Sequence, residues 1–154
     1  MQKKLVLFFG LLLIAGLLSG CKNAPKTVFD PGKVVLVDAG FIDAIAPLKV
    51  TSAAAIHVGG WAADTKTASP ASDIIVLADG KQIPFVPNMS ISRPDVSKYL
   101  NNAALEKVGW DGSIPASSIG IGKHKIAFYA VLSDNTFAVL RYHAQPFCEV
   151  EVTE

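Results

Sequence analysis

Asp79-Gly80 is the dipeptide that most restricts what this chain can fold into. Both residues tolerate the positive φ that a two-residue hairpin turn requires. They stand between Asp73 to Ala78, with Ile74-Ile75-Val76-Leu77 at its centre, and Gln82-Ile83-Pro84-Phe85-Val86. Two β-rich runs joined in this way form a hairpin, and Pro84 belongs on an edge because it has no N–H to donate. A second hairpin is predicted from Lys125 to Leu132, the turn Ser133-Asp134-Asn135-Thr136, and Phe137 to Tyr142. Further strand-like runs are Val34 to Val37 and Ala53 to Ala63, the latter holding Ile56-His57-Val58 and Trp61. The run Phe147 to Val152 places Cys148, Val150 and Val152 on one face and Glu149 and Glu151 on the other.

Between the two hairpins lies one helical candidate, Ser92 to Leu100. Ser92 is placed to cap, Asp95 follows at capping-box spacing, Pro94 suits the first turn, and Val96, Tyr99 and Leu100 share a face. Arg93 and Asp95 read as a structural motif. Asp95 favours the helix N-terminus, and Arg93 pairs with a neighbouring carboxylate to fasten the crossover. Seven or so short strands with one short helical crossover predict an all-β, antiparallel sandwich near immunoglobulin size, a single domain over residues 34–154.

The start of the chain carries a different kind of information. Lys3-Lys4 precedes an apolar run from Leu5 to Leu18 that, as a helix, would cover about 21 Å against a hydrocarbon core of about 30 Å, so it reads as a signal-peptide segment. It closes in Leu18-Ser19-Gly20-Cys21, which resembles the lipobox of bacterial lipoproteins. The resemblance implies a signal peptide over 1–20, cleavage before Cys21, and acylation of Cys21 by diacylglycerol and a further chain such as palmitate. The partner so implied is the membrane, through the acyl chains on Cys21, and the location is the bacterial cell envelope. Because Lys22, not Asp, follows the cysteine, a Gram-negative host would send the protein to the outer membrane. Residues 21–33, with Asn23, Pro25, Asp30, Pro31 and Gly32, read as a flexible tether.

Charge narrows the choice of partners. The whole chain has 14 Lys+Arg against 13 Asp+Glu, and loss of Lys3 and Lys4 with the leader tips the balance slightly negative, so no nucleic-acid partner is expected. Of the two cysteines, Cys21 is committed to lipid, and Cys148 reads as a small core hydrophobe on a final strand.

A second resemblance extends along residues 55 to 142. Gly60-Trp61-Ala62 with Asp64, then Asp79-Gly80, Arg93-Pro94-Asp95-Val96, Gly109-Trp110 and Gly122-Lys123-His124 are similar, in order and spacing, to the motifs of immunoglobulin-like β-sandwich modules attached to bacterial surface-glycan enzymes and exported proteins. The resemblance implies an immunoglobulin-like fold with an accessory or binding role and brings no catalytic residues with it. No enzyme domain is expected beside this sandwich, a departure from that pattern.

No nucleophile elbow, zincin helix, phosphate loop or dinucleotide glycine set occurs, so no cofactor, metal or catalytic residue is assigned. His57, His124 and His143 are widely separated, and alternation points His57 away from Ile56 and Val58. Trp61 is expected in the core. Trp110, between glycines, is divided between a core plug and an exposed binding aromatic, and is the candidate binding residue. The expected function is a noncatalytic, envelope-anchored binding or structural module for a glycan or protein partner. The alternative is a small envelope hydrolase with a site built from scattered His and Asp/Glu side chains.

Overall fold

A computed structural model describes residues 27–154; the leader and Cys21 lie outside the described residues. The strands are β1 (Val34–Val35), β2 (Gly40–Ala46), β3 (Lys49–Thr51), β4 (Ala55–Asp64), β5 (Ser69–Pro70), β6 (Asp73–Ala78), β7 (Lys81–Ile83), β8 (Asn88–Ile91), β9 (Gly109–Pro115), β10 (Gly122–Val131), β11 (Phe137–Leu140) and β12 (Cys148–Thr153). The helix α1 (Pro94–Tyr99) and a 3-10 turn at Ala103–Leu105 form the crossover between β8 and β9. No helix among the described residues is long and apolar enough to cross a membrane.

These strands make two sheets packed face to face, an all-β sandwich. In the first sheet the long strand β10 is the hub. One of its edges pairs with β12 from Gly122 to Ile126 and with β11 from Phe128 to Val131, while the other takes β6, which in turn carries β7. β1 lies beside β11 and β3 beside β12. The second sheet runs β2-β4-β9-β8, with β5 added to the end of β4. The antiparallel expectation is corrected at two pairs, β1 with β11 and β12 with β3, which are parallel. Parallel neighbours need a long connection between them, and here most of the chain separates the partners.

Alternation along each strand supplies the core. Ile74, Val76, Ile126, Phe128, Leu140, Cys148 and Val150 from the first sheet face Ile42, Ile56, Val58, Trp110 and Ile114 from the second, all buried. The Asp79-Gly80 turn forms as expected, with φ of 49° and 80°, and sets Ala78 opposite Lys81. Pro84 stands just past β7, the outermost strand on that side.

Two smaller apolar clusters lie on the outer faces. On the second sheet, Trp61 and Ala63 are covered by Val96, Leu105 and Val108 of the crossover. On the first sheet, Ile75, Leu77, Val131 and Phe137 are covered by Phe29, Val34 and Tyr129, with the Phe29 ring centroid 4.6 Å from that of Tyr129 and 5.2 Å from that of Phe137. This corrects the extent of the tether. From Thr27 onward the segment expected to be loose is part of the packed domain. The Gln82 amide clamps it, accepting from Phe29 N at 2.9 Å and donating from Nε2 to Thr27 O at 3.0 Å.

The crossover helix also differs in detail from its sequence reading. Arg93, not Ser92, is the N-cap residue and makes no side-chain cap, because a guanidinium has no acceptor, while Ser92 Oγ donates to Glu106. Val96 is buried as expected, whereas Tyr99 is 78% exposed. A helix this short has room to bury only the side chains directly over Trp61.

Candidate functional site

The outer face of the second sheet is divided in two. Its upper half lies under the crossover, and Arg93 forms the boundary. Its aliphatic part lies so close above Gly109 that a Cβ there would meet Arg93 Cγ at 2.8 Å. The guanidinium forks onto Asp95, with Nε to Oδ1 at 2.9 Å and Nη2 to Oδ2 at 2.7 Å, and its third arm reaches Asp43 Oδ2 at 2.5 Å. The fork holds the Asp95 carboxyl down at about 2, and the two carboxylates together raise the pKa of the guanidinium. Arg93 thus ties the crossover to β2 at Asp43, while Asp95 orients it from within the helix. The sequence reading gave Arg93 a neighbouring carboxylate, which is Asp43 here, and gave Asp95 the helix N-terminus, whereas both its oxygens are taken by Arg93.

The lower half is open. Register across β2, β4 and β9 aligns Ala46, His57 and Ser113 in one row and Ala44, Gly59 and Asp111 in the next. Small residues leave a shallow depression of about 370 Å³ there, bordered by three polar side chains, His57, Asp111 and Ser113. At Gly59 the face is pared down further, since a Cβ would sit 3.3 Å from Trp110 O and 3.4 Å from Asp111 Cβ.

His57 points outward, as alternation required, and its Nδ1 shares a hydrogen bond of 2.8 Å with Ser113 Oγ. The pairing has the distance of a nucleophile and base. It lacks a third member: no carboxylate hydrogen-bonds His57 among the described residues. What the arrangement offers directly is hydrogen bonding, through one imidazole, one hydroxyl and one carboxylate over a flat apolar floor. Sequence reasoning found His57 but not Ser113 or Asp111.

Trp110 is a correction to the candidate binding residue. It is 1% exposed, edge-on to Phe85 at 6.2 Å and 6.1 Å from Phe128, and so cannot stack on a ligand arriving from solvent. It faces inward from β9 while its neighbours Asp111 and Ser113 face outward, and inside the sandwich the bare Gly112 leaves room for the Phe85 ring.

The three histidines are not gathered. His124 pairs through Nδ1 with Asp79 Oδ2 at 2.8 Å on the first sheet, where Lys125 N also donates to Asp79 Oδ1 and helps hold that carboxyl below its ordinary range. His143 occupies a two-residue turn with Ala144, both at positive φ, closed by reciprocal bonds between Tyr142 and Gln145. Among the described residues no group of three or more His, Cys, Asp or Glu could hold a metal ion. Cys148 is buried on β12, its Sγ 3.7 Å from Ile126 O, and burial pushes its thiol pKa up to about 11.

No protein-family model matches the chain, and no curated protein matches it.

Proposed function

We propose that this chain is an envelope lipoprotein, acylated at Cys21, whose immunoglobulin-like sandwich is a noncatalytic binding module, with the open half of the second sheet's outer face as its ligand surface. The observation that carries the reading is the depression floored by alanine and glycine and edged by His57, Asp111 and Ser113. An extended polymer laid across it meets little relief and three hydrogen-bonding groups of different kinds. A protein segment fits better than a glycan, because Trp61 and Trp110 are both buried and offer no indole face to a sugar ring. In a Gram-negative host, Lys22 after the lipidated cysteine directs the module to the outer membrane.

Capture from native envelopes tests this. The tagged lipoprotein is expected to retain a protein partner, and Ala44→Arg, which fills the depression at an exposed position, is expected to lose it with an unchanged melting curve. Capture of the same partner by Ala44→Arg would overturn the assignment of the surface.

The His57–Ser113 contact favours one second reading, a small envelope hydrolase with Ser113 as nucleophile and His57 as base. Turnover of an ester or peptide that disappears in Ser113→Ala while the fold persists would establish it in place of the binding module.

A further inference from the structure

The attachment of the domain to its anchor is shorter than the sequence suggests. Thr27 is held by Gln82, and Phe29 is packed on Tyr129 and Phe137, so the chain is fixed to the sandwich from Thr27 onward. Six Cα-to-Cα steps separate it from Cys21, which span at most about 22 Å when fully extended. A domain of this length has a radius of gyration of about 14 Å, which makes it about 36 Å across. The leash is therefore shorter than the body it holds, and the corner where it joins the body stays close to the bilayer.

That corner is apolar where it meets solvent. Val28 is 77% exposed and Val86 is 85% exposed, two of the most exposed large aliphatic side chains among the described residues. Val28 and Pro84 line a single cleft beside Gln82, and Val86 follows two residues after Pro84, exposed while the intervening Phe85 is buried, with its carbonyl oxygen beside Gly112 of β9. Lys81 stands exposed at the head of β7, and the Asp30 carboxylate is turned back onto Gly32 N at 2.9 Å. Of the five residues between Cys21 and Thr27, two are lysine and none is acidic. Short reach, exposed aliphatics and positive charge together describe an interfacial contact with an anionic lipid surface.

We propose that the corner formed by Val28, Pro84 and Val86 rests on the bilayer that holds the Cys21 acyl chains, so that the sandwich is seated on the membrane. The seat rests on the lipoprotein reading.

The test uses the full lipidated chain in vesicles of phosphatidylethanolamine and phosphatidylglycerol, with and without brominated acyl chains. Val86→Trp places a reporter at the seat, Tyr99→Trp places one on the crossover, and wild-type emission from the buried Trp61 and Trp110 is subtracted. Emission from position 86 is expected to shift to the blue and to be lost with brominated lipid, while position 99 is unaffected. Equal quenching at the two positions, or none at either, from protein that floats with the vesicles and carries acyl mass on Cys21 would overturn the seat and leave the anchor standing. Protein without acyl mass that fails to float would overturn both. Val28→Trp repeats the measurement should Val86→Trp melt below wild type.

Discussion

Asp64 ends β4 with both carboxylate oxygens occupied. Oδ2 accepts from Ser133 N at 3.2 Å and Ser133 Oγ at 2.5 Å, and Oδ1 from Lys66 N at 3.0 Å and Thr67 N at 3.4 Å, so one buried side chain pins two loops. The Ser133 hydroxyl does most to hold this carboxyl below its ordinary value of 3.8, against the opposing effect of burial. The folded state therefore releases the proton more readily than the unfolded one. The stability this contributes is complete above the ordinary value and is lost as pH falls through the lowered one. Asp64→Ala is expected to cost about 2 kcal/mol at neutral pH, with the gap to wild type closing at low pH. Urea denaturation at pH 7 and near pH 3 checks it, and a gap of equal size at both would refute it. Asp64 entered the sequence reading only as part of a motif order, because nothing local announces that its partner is Ser133. The same limit explains the candidate site. Alternation fixed the direction of His57, but Ser113 and Asp111 meet it only through the register of β4 with β9, and Trp110 was undecided because β9 had not been identified as a strand.

At the scale of elements, the Gln82 clamp decides where the domain begins. Its two hydrogen bonds extend β7 sideways to a segment that is not a strand, and each is worth about 1 kcal/mol. Gln82→Ala is expected to lower stability modestly and to speed amide exchange at Phe29 far more than at Val76 in the centre of β6. Unchanged protection at Phe29 would show that ring packing alone holds the segment. The elements legible in the sequence were those whose signals are local: the β6–β7 turn at Asp79-Gly80, the pairing of β10 with β11, the alternation of β12, and Pro94 opening α1. β2, β3, β5, β8 and β9 were not read from the sequence. β9 reads Gly-Trp-Asp-Gly-Ser-Ile-Pro, poor in β-formers, and it exists because β4 and β8 pair with its two edges. The Ser92 cap failed for a related reason, since Glu106, distant in sequence, competes for its hydroxyl.

For the molecule as a whole, the anchor carries the plainest prediction. On the lipoprotein reading proposed above, Cys21→Ser removes the acyl acceptor, so unprocessed precursor is expected to accumulate, read by its mass and by the absence of lipid label. Processing and fractionation like wild type would remove the lipoprotein reading, and with it the seat on the membrane. One topological detail reaches further, into how the sandwich is made. β12 lies between β10 and β3, and it follows both in the chain. Until it arrives, β3 has no strand partner and the first half of β10 has an open ladder edge, both able to pair with another copy. Assembly of the first sheet is therefore closed by a late-synthesised strand. A ribosome that stalls before Cys148 would hold a nascent chain whose two bare edges are a hazard for the cell's quality control.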